Sequence, residues 1–176
     1  MSKTKKIVLS GILLALLLVL SRFLSIKTPL LVISFSFIPT MMSAIILGPK
    51  YSTIIAGLGD FIGAILFPFG TYFPGFTLSA VLTGLIHGLI LYRKPGEEIS
   101  NWKFILKLVI SSVITLGCIN ILLTSWWLNI MYGKAYIAVL LSRVTAQVIM
   151  LPIQVIVIFA IDKALRPVLN KYLYNS

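Results

Sequence analysis

Charged side chains lie within long apolar stretches of this chain at Arg22, Asp60 and Arg143. A charged group at membrane depth is costly, so each of these residues is a candidate for a functional site. Arginine can hold a carboxylate or a phosphate through two parallel hydrogen bonds. Two arginines with few acidic residues around them therefore favour an anionic ligand. The alternatives are that Arg22 extends to the membrane interface and that Arg143 pairs with Asp60.

Amide and aromatic side chains accompany these charges. Asn120 lies in the outer half of the fifth apolar segment, and Gln147 follows Arg143 by one helical turn on the same face. Aromatic residues suited to stacking on a flat ring occupy an uncharged loop after the third segment: Phe69, Tyr72 and Phe73. Trp126 and Trp127 extend this set. The alternative is that the aromatic residues form only an interfacial belt.

Six long apolar segments have to position these side chains. The 176 residues are 59% hydrophobic and have a mean hydropathy of +1.07, which is more apolar than a soluble domain of this size. Each segment approaches the length of about 20 residues that crosses a bilayer as a helix. We predict an all-α membrane protein, a compact six-transmembrane-helix bundle that forms a single integral membrane domain over residues 1–176. The expected helices cover about residues 5–24, 32–47, 51–67, 76–92, 102–123 and 135–165, and Pro39 predicts a kink or a late start in the second.

The basic residues predict the orientation of this bundle. Eleven of the 15 Lys and Arg residues lie in alternate gaps between the segments, namely Lys3, Lys5, Lys6, Lys50, Arg93, Lys94, Lys103, Lys107, Lys163, Arg166 and Lys171. Cytoplasmic loops are enriched in Lys and Arg, so both termini are expected inside. The net charge of +11 then reflects topology and contact with anionic lipid rather than nucleic acid. With this orientation the buried polar groups lie between the midplane and the outer surface, which predicts a pocket that opens outward.

Several kinds of chemistry lack their residues here. The four acids are Asp60, Glu97, Glu98 and Asp162, and the single cysteine is Cys118, so neither a metal cluster nor a disulfide is expected. Motifs of hydrolases, metalloproteases and phosphate-binding loops are missing from the sequence. We therefore expect no enzyme and no cofactor, and any active transport has to draw its energy from a partner.

Several stretches resemble one family of membrane proteins along essentially the whole chain. They are Phe67–Ala80 continuing to Gly84–Gly88, then Gly48–Lys50, Gly57–Asp60, Arg143–Gln147 and Pro152–Gln154. The chain resembles the folate-type S components, which are the substrate-binding subunits of energy-coupling factor (ECF) vitamin transporters. The resemblance implies a bacterial plasma-membrane protein that binds its vitamin from outside. It also implies association with a transmembrane coupling subunit and two ATPase subunits, whose ATP hydrolysis would topple the S component and release the ligand inside.

The resemblance also suggests roles for particular residues. Family members carry an Ala-x-x-x-Ala-like face on helix 1 that packs on the coupling subunit, and the matching pair here is Gly11 and Ala15. For folate, Asp60 can accept the adjacent amino and ring N–H groups of the pterin. Arg22 or Arg143 can pair with the carboxylates of the tail. The remaining polar atoms of the ligand can be served by Asn120 and Gln147.

Two other functions stay open from the sequence. The first is an S component for another vitamin, such as pantothenate or riboflavin. The second is a membrane scaffold or assembly protein without a small ligand.

Overall fold

The computed structural model describes residues 2–27, 32–68, 71–94, 97, 99–133 and 136–169. The order of elements begins with helix α1, a hairpin of two short strands and helices α2 to α4. A long helix follows that consists of α5, a π-helical segment and α6, and the last element is α7. Their bounds are α1 Lys3–Arg22, β1 Ser25–Lys27, β2 Val32–Ser34, α2 Phe37–Leu47, α3 Pro49–Leu66, α4 Pro74–Leu91, α5 Asn101–Ile114, the π-helical segment Thr115–Leu123, α6 Thr124–Tyr132 and α7 Tyr136–Leu169.

Within the described ranges these elements make six helical rods, as the sequence predicted, because α5, the π-helical segment and α6 run on without a break. Four stretches are long and apolar enough to cross a membrane: Lys3–Arg22, Pro74–Leu91, Asn101–Met131 and Arg143–Val168. Large apolar side chains project from several rods, with Ile7, Leu89 and Ile156 each about two-thirds exposed. Lipid is the environment in which such surfaces are stable.

The link between the first two rods differs from the expected one. The second helix was predicted from residue 32, but Val32–Ser34 pairs as an antiparallel strand with Ser25–Lys27, and α2 begins at Phe37. The late start agrees with Pro39. The first turn of a helix tolerates proline because the backbone N–H that proline lacks would have no partner within the helix there. The Ser34 hydroxyl accepts a hydrogen bond from the Ser36 amide at 3.0 Å just before the helix.

Two other boundaries predicted from the sequence were wrong. The expected helices 102–123 and 135–165 left a loop between them, but Thr124–Tyr132 is helical and ends at Gly133, whose φ of 59° is left-handed. No glycine or proline precedes Gly133 in this stretch, so the helix has no reason to stop earlier. The last helix was expected to end before Pro167 and instead continues to Leu169.

Close packing of α3 on α4 forms the centre of the bundle. The Ser52 hydroxyl donates to the Gly84 carbonyl of the neighbouring helix at 2.8 Å. A side chain on Gly84 or Gly88 would collide with the backbone of the facing helix, so both glycines permit this close approach. On the far side of α4, buried His87 shares a 2.5 Å hydrogen bond with Ser111 of α5 and so contributes to the packing of these two helices.

The Gly59-x-x-x-Gly63 pair of α3 faces α1. A side chain at Gly59 would collide with Leu17, and one at Gly63 would lie 2.5 Å from Nε of Arg22. The small residues of α3 therefore serve packing within the bundle. They also bring the end of α1 directly over α3.

Three charges meet at the end of the bundle opposite Arg22. Asp162 of α7 pairs with Arg93, which follows α4, at 3.4 Å and with Arg166 at 2.7 Å. The carboxylate of Asp162 and the guanidinium of Arg93 are both buried, while Arg166 is partly exposed. The guanidinium of Arg93 lies 4.6 Å from the ring centroid of Phe104 in α5. Arg93 was interpreted from the sequence only as an orientation charge, but it also joins three helices.

Candidate ligand site

The end of α1 and the last turns of α3 place the first charged residue. Arg22 is the last residue of α1, and its guanidinium lies across Gly63, where a methyl group would displace it. It donates at 3.4 Å to the backbone carbonyls of Phe67 and Asp60. The charges of Arg22 and Asp60 also attract one another. Arg22 therefore lies on α3 beside the aspartate.

The Asp60 carboxylate is held from α4. Its Oδ2 accepts a 2.8 Å hydrogen bond from the Thr77 hydroxyl, and Thr77 Oγ1 lies 3.2 Å from the Tyr72 hydroxyl. The Tyr72 ring packs edge-on against Phe61 of α3, with 5.9 Å between centroids. Three residues from α3, α4 and the loop before α4 thus form one hydrogen-bonded chain.

An aromatic cluster adjoins this chain across the first turns of α4. The Trp127 indole N–H donates to Ser79 Oγ at 3.1 Å, and Ser79 donates to the Gly75 carbonyl at 3.0 Å. The ring of Phe73 lies 5.5 Å from that of Trp127. Both rings cover Gly75, which has no room for a side chain. The start of α4 therefore joins Asp60 on one side to α6 on the other.

The second arginine lies between α7 and the π-helical segment. Arg143 is partly buried, and its Nη1 donates to the backbone carbonyl of Asn120 at 3.3 Å. Its Nε is buried and has no hydrogen-bond partner among the described residues. π-helical segments recur at functional sites because they shift the helical register locally. An arginine with a remaining buried donor in this position is suited to an anion.

The structure brings some of the candidate residues together and leaves others apart. Arg22, Asp60 and Tyr72 share one cluster, and Arg143 contacts Asn120 through the main chain of the latter. Gln147 is half-buried one turn beyond Arg143 on α7. In the part of the chain that the structure describes, Arg143 makes no ion pair with Asp60. Phe69 lies outside the described residues.

The sequence interpretation missed Thr77 and Ser79. Their one signal was their place in the first turns of a helix that follows an aromatic, proline- and glycine-rich loop, which is a common place for a hydroxyl residue. Across the described ranges, no group of three or more His, Cys, Asp or Glu side chains is placed to hold a metal ion.

In the described ranges, six apolar rods with charged, aromatic and hydroxyl side chains gathered at one end define a small helical membrane protein with a candidate ligand site. The model of the family described as "ECF-type riboflavin transporter, S component" matches residues 1–167. The chain belongs to this family of ECF transporter S components, which is a family of transporter subunits and not of enzymes.

Relatives and a solved structure agree with this assignment. The chain is 36% identical over 159 residues to a protein of Clostridium novyi named "Folate transporter FolT", covering 90% of this chain and 88% of that protein. A protein of the same name from Leuconostoc mesenteroides is 36% identical over 157 residues, covering 86% and 81% respectively. The structure described as "Crystal structure of FolT bound with folic acid" is 37% identical, covers 92% of this chain and 94% of that chain, and superposes with a TM-score of 0.81.

Proposed function

We propose that this protein is the folate-binding subunit of an ECF transporter. One observation carries the proposal: the similarity at 36% identity, over most of both chains, to proteins named as folate transporters. The likeness in structure to a protein solved with folic acid supports it.

The Asp60 cluster supports a pterin as the bound ring. A pterin edge carries an amino group beside a ring N–H, and an ionised carboxylate accepts both. Asp60 accepts from Thr77 through Oδ2, and its second oxygen, Oδ1, is an acceptor as well. Tyr72 reaches Thr77 through its hydroxyl, and the ring of the next residue, Phe73, packs against Trp127 and is suited to the face of a flat ring.

The arginines support binding of the glutamate tail. The tail of folate ends in carboxylates, which arginine pairs with strongly when water is excluded. Arg143 keeps a buried donor, Nε, without a partner among the described residues, and Gln147 follows it on the same face of α7. Arg22 bonds two carbonyls of α3 and lies beside the charge of Asp60, whereas the structure gives Arg143 one carbonyl acceptor, so Arg143 is the better candidate for the tail.

Riboflavin is the second candidate ligand because the matching family model carries its name. Equilibrium binding of folate and of riboflavin to the purified full chain in detergent separates the two. Tight binding of folate with weak or no binding of riboflavin is the expected result. The reverse order, or binding of neither vitamin, would refute the folate assignment. Mass spectrometry of small molecules released from the purified protein gives an independent check.

The Arg143→Ala substitution is expected to weaken folate binding by about 2 kcal/mol, or roughly thirtyfold in Kd, because a charge-assisted pair is lost. Isothermal titration measures the change. Affinity for 6-methylpterin, which has no tail, should stay the same. Lys163→Ala, at an exposed position of the same helix, is the matched control. Unchanged folate affinity in Arg143→Ala would remove this residue from the site.

We further propose that the transport cycle needs an ECF coupling subunit and two ATPase subunits. The chain has no phosphate-binding loop, so the energy has to be supplied by partners. On α1, Gly11 and Ala15 lie on an exposed face, and a side chain at Gly11 would meet open space. A face of small residues lets another helix approach closely in lipid, which fits contact with the coupling subunit. The same proposal places the protein in the bacterial plasma membrane, as one integral domain with both termini in the cytoplasm.

The Gly11→Leu substitution is expected to abolish association with the coupling subunit while folate binding by the isolated chain is retained. Leucine favours a helix over glycine by about 0.5–1 kcal/mol, so α1 should not be weakened. Co-purification with the coupling and ATPase subunits measures association, and ATP-dependent folate uptake measures its consequence. Ala160→Leu, which enlarges an exposed small residue of α7, is the control. Normal uptake by Gly11→Leu would exclude this face of α1 as the contact.

A further inference from the structure

The direction of the hydrogen bonds around Thr77 can be worked out from the number of protons. A threonine hydroxyl has one proton to donate and lone pairs that accept. Thr77 lies 2.8 Å from Oδ2 of Asp60, and an ionised carboxylate can only accept, so the threonine proton points to Asp60. The 3.2 Å bond between Thr77 and Tyr72 must then use the proton of the tyrosine.

This order leaves only acceptors at the two ends of the chain. The proton of Tyr72 is directed at Thr77, so its phenolic oxygen can offer only lone pairs to a ligand. At the other end, Oδ1 of Asp60 is an acceptor as well. The contact of the Tyr72 ring with Phe61 fixes its position relative to α3. A ligand edge that meets the oxygens of this chain has to bring N–H donors, and a carbonyl facing the same oxygens would meet another acceptor.

We propose that Thr77 is a positioning residue that sets the ligand specificity of this site by holding the Tyr72–Thr77–Asp60 chain as an acceptor-only edge. The inference rests on the proposed function, since it concerns the same folate site. A pterin edge presents an amino group and a ring N–H side by side, which suits the two oxygens of the Asp60 carboxylate. A flavin presents one ring N–H between two carbonyls, which would be repelled. Thr77 thus selects between the two vitamins without having to touch either.

Two substitutions at Thr77 test the role of its hydroxyl. Valine has nearly the same shape without the hydroxyl, and serine keeps the hydroxyl without the methyl group. Thr77→Val is expected to raise the Kd for folate about tenfold, because the carboxylate loses its fixed orientation and Tyr72 can donate elsewhere. The advantage of folate over riboflavin should shrink at the same time. Thr77→Ser should restore both values to within about threefold of the wild type.

A double-substitution cycle separates positioning from packing. In the Asp60→Asn background, Thr77→Val should change the Kd for folate by less than about twofold, because it acts through Asp60. A packing role would give the same loss in both backgrounds, and that result would overturn the inference. Should Thr77→Val fail to fold, Tyr72→Phe carries the test, because it removes the proton given to Thr77 and keeps the ring. A Tyr72→Phe variant with wild-type affinity and vitamin preference would also overturn it.

The same titrations separate a failure of this inference from a failure of the proposed folate binding. If the wild type does not bind folate, the proposed function fails and the specificity role falls with it. If the wild type binds folate and Thr77→Val keeps both its affinity and its preference over riboflavin, only the role of Thr77 is refuted.

Discussion

Replacing Asp60 with asparagine is expected to cost about 3 kcal/mol of folate binding, on the order of a hundredfold in Kd. The side chain keeps its size, but the charge that strengthens two N–H hydrogen bonds is gone. If the amide oxygen accepts from Thr77 in place of Oδ2, the amide NH2 group points at the donors of the pterin. An attractive contact thereby becomes a repulsive one.

Two comparisons make this experiment specific for the pterin. The Kd for p-aminobenzoylglutamate, which has the tail but no pterin, should be the same in wild type and Asp60→Asn. Glu97→Gln removes a charge of the same sign from an exposed loop position and should leave folate binding intact. Fluorescence titration in detergent gives all these values. An equal loss for the tail fragment, or a lowered unfolding temperature of Asp60→Asn, would point to packing instead of ligand contact.

The positions of the rods were predictable because each depends on local information. Apolar runs of membrane length mark the helices, and Gly48-Pro49 marks the turn between α2 and α3, where Gly48 has a φ of 82°. The errors fall where local signals are ambiguous. Trp126 and Trp127 indicated an interface and hence a loop, yet aromatic residues are equally compatible with a helix that reaches the interface.

The site was predictable in its residues but less so in its connections. The depth of Arg22, Asp60 and Arg143 in the apolar segments identified them as candidates because charges there are costly. Their partners could not be deduced in the same way. Arg143 is bound by the backbone carbonyl of Asn120, and every residue offers such a group, so no side-chain pattern reveals the contact. The sequence does not reveal the partner of Thr77 either, since the hydroxyl of a helical threonine often bonds only to its own helix.

The ion pair at the opposite end of the bundle is the clearest contact that the sequence could not predict, because its partners are far apart in the chain. Arg93 and Asp162 are separated by 69 positions, and neither residue type specifies the other as its partner. The i,i+4 spacing of Asp162 and Arg166 was visible in the sequence, but such a pair on a surface contributes little. Only the fold shows that Asp162 is 1% exposed and that it holds a buried arginine from another helix.

Replacing Asp162 with alanine is therefore expected to destabilise the protein by about 3–5 kcal/mol, because the guanidinium of Arg93 would be left buried without its counter-charge. The guanidinium of Arg93 has Phe104 on one side, so it cannot easily reach water without moving the ends of α4 and α7. A loss of this size should lower the unfolding temperature in detergent by roughly 10 °C.

Removing both charges should do less harm than removing one. The double variant Arg93→Met with Asp162→Leu is expected to recover most of the lost stability, since apolar side chains of similar size can replace a buried pair. Arg166→Ala should lower stability by less than about 1 kcal/mol, because its side chain is 30% exposed. Thermal unfolding of the four proteins establishes the order. Equal stability of wild type and Asp162→Ala would show that the three charges only orient the chain in the membrane. The expected order of stabilities would instead identify these charges as the contact that fixes α7 to the end of α4.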